Sequence, residues 1–432
     1  MPSATSSSSK VSSPPAAWRS SSPPRAGPST RTPPPQHVCA AVNAQVTSIP
    51  GLAPPHFDFA EHVRSRSYTM QNFVFGDDPF ETAVLLDEGV ERLLPDTFQR
   101  ACASPSCTFE IGDAGEKGRG MFAVKDMPAG ALVLVEHPAV VVPYLIGLDV
   151  PLRDVYAELF GRLPPEAHRA LMGLANSRED CDHREGIVRT NALGIQLDVP
   201  DVAHPELTTH RAVFLNTSRC NHSCGPNARW EWDTASFALY LSAVRPIQQG
   251  EEITIAYTAC TRPRGERHST LHAQYGFTCA CTYCALPCAA ASDAARVALA
   301  RFWSDLPPFE AWCVDGRTPD EWLVKRHLEA LRLIKQEGLQ VLDAERHVDA
   351  IAMCYGALAD VEMFRAWTER VREREARRVW VGVEGRERAR RRALVFAKWL
   401  SNPASFPAWG WRRTFCVSKV EGEEEGKGED VV

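Results

Sequence analysis

The sequence predicts an α+β protein, in which a β-rich middle region is followed by a helical C-terminal region. Short apolar runs separated by glycine-containing turns begin near Thr108, and this pattern is typical of strands. After about residue 291 the apolar residues recur every three or four positions, which is the period of a helix. At 432 residues the chain is long enough for two or three domains of ordinary size.

The first 57 residues are rich in serine and proline and contain no aspartate or glutamate. A segment of this composition cannot bury enough apolar surface to fold, so we predict that residues 1–57 are disordered. An acid-poor start that carries arginines also resembles a mitochondrial transit peptide, but its prolines oppose the amphipathic helix that such a signal needs. Residues 58–107 are assigned to an N-terminal extension.

The overall composition argues against several classes of protein. The formal net charge of -6 provides no general attraction for nucleic acid, so a nucleic-acid partner is not expected. The most apolar stretch, residues 131–148, is broken by Glu136, Pro138 and Pro143, so we expect no membrane-spanning segment. Because the N-terminal region has no continuous apolar run, we expect a nuclear or cytoplasmic protein that is not secreted, with thiols or metal ligands for its 14 cysteines.

The β-rich region, residues 108–258, is interrupted by a predicted pair of helices at 150–180. Val155, Leu159 and Leu163 have the four-residue spacing of a helix, and two consecutive prolines separate this helix from the next. Apolar and β-branched runs on both sides of the insert predict strands. These predicted strands are residues 131–135, 187–197, 237–241 and 253–255.

Residues 291–400 are predicted to form helical hairpins. The sequence Thr-Pro-Asp-Glu at 318–321 has the pattern of a capping box, and Gly338 is expected to end the helix that follows. Two more helices with the same spacing come next. Hairpins resembling tetratricopeptide repeats and a plain helical bundle both fit this pattern. The apolar faces are Val324, Leu328, Leu331 and Ile334 on the first helix, Val348, Ile351, Tyr355 and Leu358 on the second, and Phe364, Trp367 and Val371 on the third.

Eleven arginines lie between Arg365 and Arg392, which could form a nucleic-acid-binding patch. Five glutamates are interleaved with them, and this favours a solvated helix with ion pairs. Residues 401–432 are assigned to a tail that is acidic and disordered at its end.

Three cysteines, Cys279, Cys281 and Cys284, lie within six residues of one another. Thiolates this close together in a reducing compartment are typical of a tetrahedral zinc site. Such a site needs a fourth ligand. Cys288 is near in the sequence, whereas Cys224 would join two distant parts of the chain. Four buried thiols without a metal are the alternative interpretation.

Two loops carry polar groups that suit a small ligand. Residues 221–227, Asn-His-Ser-Cys-Gly-Pro-Asn, place short donors and acceptors on a sharp turn. Residues 117–120, Lys-Gly-Arg-Gly, offer two positive charges where glycine lets the backbone approach an anion. Each loop alone is weak evidence, because turns of this kind are common.

Taken together and in order, four motifs resemble those of the SET-domain protein lysine methyltransferases. The branch that they resemble is the fungal group of SET-domain proteins related to the SET-and-MYND proteins. The region that would hold the MYND finger contains too few cysteines and histidines for two zinc sites, so the resemblance does not extend to that module. It implies a SET domain with a pseudoknot, followed by a post-SET zinc segment at 259–290. The motifs are residues 115–123, 221–227, 250–257 and 275–284, with supporting phrases at 186–192 and 267–271.

The resemblance implies S-adenosylmethionine as cosubstrate and one structural zinc ion. Lys117, Arg119 and Asn221 would hold the methionine part of the cosubstrate. His222 would contact the adenine side, and Phe277 would lie against the adenine ring. The zinc ligands would be Cys224, Cys279, Cys281 and Cys284, which agrees with the distant candidate for the fourth ligand.

The resemblance also implies the activity, a protein lysine N-methyltransferase acting on a histone tail or on a translation-related protein, as a monomer. Tyr257 matches the catalytic tyrosine, and Tyr275 matches an aromatic wall of the lysine channel. Methyl transfer is an in-line displacement at a carbon activated by a sulfonium, so positioning dominates and no strong base is required. Tyr257 is therefore interpreted as an orienting group. A SET-like protein-binding scaffold that has lost turnover is the alternative.

Overall fold

The computed structural model describes residues 66–75, 81–147, 150–197, 208–342, 344–377 and 382–414. The predictions for residues 1–57 and for the acidic end of the tail lie outside these ranges. The described residues divide into two compact units. The first contains the described residues up to Ser104, Val135–Arg219 and Trp232–Tyr240, and the second contains Pro105–Leu134, Cys220–Glu231 and the described residues from Leu241 onward.

The strands are short. They are β1 (Tyr68–Val74), β2 (Glu81–Asp87), β3 (Phe109–Asp113), β4 (Arg119–Ala123), β5 (Leu132–Glu136), β6 (Val140–Pro143), β7 (Leu193–Gln196), β8 (Thr209–Val213), β9 (Asn221–His222), β10 (Ala228–Asp233), β11 (Ala238–Ala243) and β12 (Glu252–Ile255).

Helices are concentrated in the C-terminal part of the described chain, as predicted, and the predicted α+β class is confirmed. The helices are α1 (Glu88–Glu91), α2 (Leu152–Gly161), α3 (Pro165–Met172), α4 (His183–Asn191), α5 (Arg264–Tyr275), α6 (Ala290–Arg301), α7 (Phe309–Val314), α8 (Trp322–Gln336), α9 (Ala344–Ala357), α10 (Val361–Arg377) and α11 (Gly382–Ser401). The part of the chain that the structure describes has no helix that is both long and apolar enough to cross a membrane.

The first unit is built on a five-stranded sheet with the order β1-β2-β6-β8-β7. All of its pairings are antiparallel except that of β2 with β6, which is parallel. Its core contains Val140 and Val142 of the sheet together with Val155 and Leu159 of α2. The last two lie one helical turn apart, and this buried face confirms the helical insert predicted from their spacing.

One sequence prediction fails in this unit. A strand was expected from Ile187, but residues His183–Asn191 form α4, and β7 begins only at Leu193. The side chain of Asp182 accepts a hydrogen bond from the backbone N–H of Arg184 and caps the helix. Capping and the burial of Ile187 therefore outweigh the preference of its β-branched side chain for a strand.

The second unit contains a four-stranded sheet with the order β3-β4-β12-β9. Strand β12 pairs antiparallel with β4 and parallel with β9. In the parallel pair, Thr254 lies opposite Asn221, and Ile255 lies opposite His222. This pairing lays the 221–227 loop directly beside the 250–257 motif. A further sheet has the order β10-β11-β5.

The helical region of the second unit follows most of the predicted pattern. Helices α9 and α10 coincide with the second and third predicted helices, and α8 packs on α9 as α9 packs on α10. The capping box is wrong, because α8 begins at Trp322 and the hydroxyl of Thr318 donates to Asp315 instead. Leu328 is also 39% exposed, so it does not belong to the buried face.

The arginine-rich segment is only partly described. Arg372 pairs with Glu369 along α10, and Arg391 pairs with Glu387 along α11. Arg392 reaches from α11 to Asp349 on α9. These pairs agree with the predicted helix carrying ion pairs.

The boundaries predicted between the N-terminal extension, the SET domain, the zinc segment and the helical domain stay predictions.

Candidate functional site

The first part of the site is a set of donors that converge on one carboxylate. Lys117 Nζ lies 2.6 Å from Glu252 Oε2, and Asn221 Nδ2 donates to Glu252 Oε1 at 2.8 Å. Lys117 lies just before β4, Asn221 lies on β9 and Glu252 lies on β12, and β4 and β9 flank β12 in the sheet. Arg119 differs, since its guanidinium donates to the Ile111 carbonyl at 3.0 Å. Lys117 and Asn221 are therefore brought together as carboxylate donors.

The close approach of the Glu252 and Asn221 side chains explains why residue 120 is a glycine. A Cβ added to Gly120 would lie 2.9 Å from Glu252 Oε1 and 3.0 Å from Asn221 Nδ2. Any side chain at this position would therefore have to displace one of the two groups. The glycine of the Lys-Gly-Arg-Gly loop that precedes Met121 thus leaves room for polar contacts beside β4.

The second part of the site is a cluster of aromatic rings. The rings of Tyr257 and Tyr275 lie 4.8 Å apart between centroids, and His222 lies 5.5 Å from Tyr257 and 6.3 Å from Phe277. The Tyr257 hydroxyl donates to the Cys220 carbonyl at 2.6 Å. Burial raises the pKa of Tyr257 well above its ordinary value. The phenol is therefore neutral at physiological pH and suited to orient a group rather than to remove a proton.

His222 connects the aromatic cluster to the cysteines. Its Nδ1 accepts a hydrogen bond from the backbone N–H of Tyr257 at 3.0 Å, and its Nε2 lies 3.3 Å from Cys224 Sγ. Burial lowers the pKa of His222 to about 4, so the imidazole is neutral. The sequence predicted a contact with the adenine side of a cosubstrate. The structure shows a side chain that is held by Tyr257 and Cys224.

The third part is a group of four thiols. The ligand atoms of Cys224, Cys279, Cys281 and Cys284 all lie within 4.8 Å of one another, and Cys224 Sγ is 4.0 Å from Cys279 Sγ and 3.5 Å from Cys284 Sγ. A tetrahedral zinc ion with bonds of about 2.3 Å separates its sulfurs by about 3.8 Å, so the four positions fit such an ion. Cys288 is exposed and does not belong to this group.

The four thiols share protons unequally, because hydrogen bonds within the cluster raise the pKa of Cys224 and leave the pKa of Cys279 raised as well. Hydrogen bonding from Cys224 and Cys279 lowers the pKa of Cys284 to about 5. The same kind of hydrogen bonding holds the pKa of Cys281 below its usual value. All four cysteines are free rather than joined in disulfides. The thiolate is the form of cysteine that binds a metal, so a dication would replace the protons that the sulfurs share.

Two buried arginines were not assigned a role from the sequence. Arg267 on α5 is fully buried, with Nε 3.2 Å from Cys224 Sγ. Arg296 on α6 is fully buried as well, and it donates to the Cys224 carbonyl at 2.9 Å and pairs with Glu337 at 3.1 Å. Arg267 did stand in a motif that supported the resemblance, but nothing around Arg296 distinguishes it from other arginines of the helical region.

Tyr283 fills the space behind the four thiols. A Cβ on Gly225 or on Gly338 would overlap the ring or the hydroxyl of Tyr283. Gly338 has a φ of 63°, in the left-handed region that favours glycine, and it follows the end of α8. The turn that ends α8 and the turn that carries Cys224 therefore both contact the metal-binding segment through this tyrosine.

Residues 118–258 match the family model described as the SET domain. Histone-lysine N-methyltransferase set5 of Schizosaccharomyces pombe is 29% identical over 179 residues, which are 41% of this chain and 50% of the relative. Protein-lysine N-trimethyltransferase SMYD5 of Gallus gallus is 43% identical over 75 residues, which are 17% of this chain and 18% of the relative. A SET and MYND domain-containing protein of Dictyostelium discoideum is 36% identical over 101 residues, 23% of this chain and 29% of the relative.

The chain therefore contains a SET domain. Lys117 directly precedes the matched residues, Asn221, Cys224 and Tyr257 lie within them, and the other tyrosines, Phe277 and the other three cysteines of the thiol group follow them. Its relatives place it beside the SET-and-MYND proteins and set5, as the motifs predicted. The chain spans half or less of the length of these three relatives. Among solved structures, the methyltransferase domain of human histone-lysine N-methyltransferase SETMAR is 18% identical with a TM-score of 0.20, covering 34% of this chain and 44% of that chain.

Proposed function

We propose that this protein is an S-adenosylmethionine-dependent protein lysine N-methyltransferase. The observation that carries the proposal is the meeting of a buried, neutral Tyr257 with Tyr275 beside the Asn221 loop. The SET-domain match over residues 118–258 supports it, as do relatives whose names describe protein-lysine and histone-lysine methyltransferases.

The donor set fits the amino-acid end of the cosubstrate. Lys117 and Asn221 already converge on the carboxylate of Glu252, so the pair is placed to hold a carboxylate group. When the cosubstrate binds, these donors would exchange Glu252 for the carboxylate of its methionine part. Arg119 would join them by releasing the Ile111 carbonyl. Phe277 would offer its ring to the adenine.

S-adenosylmethionine supplies a methyl group on a positively charged sulfur. The residues of the site would position the substrate amine and keep water away from it. Apolar and aromatic surroundings disfavour a protonated lysine, whose ordinary pKa is about 10.4, so they favour the neutral nucleophile. Tyr257 would orient that amine, while the faces of Tyr257 and Tyr275 would stabilise nearby cations.

The four thiols would hold one structural zinc ion. Four thiolates complete a tetrahedral shell and leave no position for a catalytic water. Cys224 follows β9, whereas the other three ligands follow Tyr275 and Phe277. The ion would therefore fasten the segment that carries these aromatic residues to the segment that carries Asn221 and His222.

The proposal also covers the substrate, the oligomeric state and the cellular location of the enzyme. We propose a lysine of a histone tail or of a translation-related protein as substrate, and a monomeric enzyme in the nucleus or the cytoplasm. The formal net charge of -6 supports a protein partner rather than nucleic acid.

The test is transfer of labelled methyl groups from S-adenosylmethionine to proteins of a cell extract, followed by identification of the modified residues. The native protein should label lysines, and Tyr257→Phe should reduce the rate about 100-fold because the orienting hydroxyl is lost. The variant should still fold, with a loss of only about 1–3 kcal/mol from the missing hydrogen bond to the Cys220 carbonyl. Tyr355→Phe, in α9, is the matched control and should retain the native rate. Labelling of no lysine, or a Tyr257→Phe rate equal to the native one, would overturn the proposal. Binding of a protein without transfer would support the scaffold alternative.

A further inference from the structure

We propose that Arg267 and His222 are positioning residues that form an outer hydrogen-bonding layer on the sulfur of Cys224 and link the metal centre to Tyr257. The inference rests on the zinc centre of the proposed function and adds to it two residues that do not bind the ion. Arg267 comes from α5 and His222 comes from β9, so the layer reaches Cys224 from two separate elements.

The positive charge of Arg267 explains why its side chain lies beside the sulfurs. Its side chain is fully buried, with Nε 3.2 Å from Cys224 Sγ and Nη2 3.7 Å from Cys284 Sγ. Asp293 is farther, with an oxygen 3.8 Å from Nη1. The Arg262 carbonyl accepts from Nη1, but a buried guanidinium also requires a negative partner, and the two sulfurs lie nearer to it than the Asp293 carboxylate. Four thiolates around a dication carry two net negative charges, so Arg267 would neutralise one of them.

His222 is placed by hydrogen bonding. Because its Nδ1 accepts the N–H of Tyr257, the proton of the neutral ring lies on Nε2. Nε2 is 3.3 Å from Cys224 Sγ and therefore donates to that sulfur. One imidazole thus connects the backbone at Tyr257 to a metal ligand. Cys224 Sγ receives two N–H groups, one from His222 and one from Arg267.

The consequence is a defined effect on metal binding. With both donors present, the negative charge on the sulfur of Cys224 is compensated inside the protein. Without Arg267, Cys224 Sγ and Cys284 Sγ would lose the N–H donors and the positive charge that face them in the metal-bound cluster. Loss of residues that support a metal ligand typically lowers metal affinity about 10- to 100-fold. The same loss should disturb the position of Tyr257 through His222.

The experiment measures zinc affinity by competition with a chelator, and the visible spectrum after cobalt(II) replaces zinc. Arg267→Met should lower zinc affinity about 10-fold or more. It should also move the thiolate-to-cobalt absorption to longer wavelength, because a sulfur without its donors gives up electrons more easily. His222→Phe should shift the same absorption. Arg264→Met is the matched control, since Arg264 lies on the same helix and donates to the carbonyls of Cys284 and Leu286 but to no sulfur.

The outcomes separate the inference from the function on which it rests. If the native protein binds no zinc, the zinc centre of the proposed function is wrong. If the native protein binds zinc and Arg267→Met keeps both its affinity within threefold and its cobalt spectrum, the outer layer is wrong while the zinc centre stands. Should Arg267→Met fail to fold, the cobalt spectrum of Arg267→Lys provides the test, because an ammonium keeps the charge but cannot donate to the sulfurs of Cys224 and Cys284 in the geometry of a guanidinium. An unshifted cobalt spectrum in that variant would overturn the outer layer.

Discussion

Replacing Arg296 by methionine should destabilise the second unit by about 3–5 kcal/mol, which is the usual cost of removing one partner from a buried ion pair. The side chain of Arg296 is fully buried, and that of Glu337 is 4% exposed. The variant would leave Glu337 charged, with the hydroxyl of Ser292 as a remaining donor. It would also remove the N–H groups that the carbonyls of Cys224 and Cys260 accept.

The assay is amide hydrogen exchange in the segment that follows β9 and in the last turn of α8. Both should exchange faster in Arg296→Met, by the factor that corresponds to the lost free energy. Arg332→Met is the control, because Arg332 forms an exposed pair with Glu329 and should cost less than about 1 kcal/mol. The double variant Arg296→Met/Glu337→Leu should recover most of the loss, because no unpaired charge stays buried. If the opening free energy obtained from exchange in Arg296→Met lies within about 1 kcal/mol of the native value, the reasoning is refuted.

Three further outcomes are expected. Gly338→Ala should lower the melting temperature of the second unit, since a left-handed alanine costs about 1–2 kcal/mol and its Cβ would overlap Tyr283. Gly265→Ala, in the same unit and with no atom near its added Cβ, should not lower it, and equal melting temperatures of the two variants would contradict this. Burial lowers the pKa of His210 to about 4, so the unfolded chain binds a proton at this histidine more readily than the folded chain does. The free energy of unfolding of the first unit should therefore fall by about 3 kcal/mol as the pH falls from 6.5 to 4. Acid titration of His210→Phe should show a smaller loss. Chelation should release about one zinc per chain and weaken the binding of S-adenosylmethionine. If calorimetry finds the same affinity for S-adenosylmethionine with and without the metal, the ion does not fasten the two segments of the site.

The site could be found from the sequence because its residues occur in short motifs. The Asn221 loop, the Tyr257 motif and the cysteines after Tyr275 each occupy fewer than a dozen positions, and their chemistry can be read without tertiary contacts. The need for a fourth zinc ligand also pointed to Cys224, although the sequence left Cys288 open as the alternative.

The parts that escaped prediction depend on contacts across the chain. Arg296 carries no local pattern, and the phrase at 267–271 did not show that Arg267 is buried, since a buried arginine differs from a surface one only by the groups that surround it. Glu252 was quoted in a motif, yet its position between Lys117 and Asn221 follows from strand pairing. The strand expected at Ile187 failed for a similar reason, because a cap at Asp182 and burial outweighed a local preference.

The hydrogen bond from Arg296 to the Cys224 carbonyl bears on where this protein can be shortened. A version that stops at residue 290 would keep the SET motifs and all four cysteines, but it would lack Arg296, Glu337 and the turn against which Tyr283 packs. The shortened protein would then lack buried groups that contact the segment carrying Cys224. We therefore expect the helices after residue 290 to be required for folding of the proposed site rather than to be an appendage that can be removed.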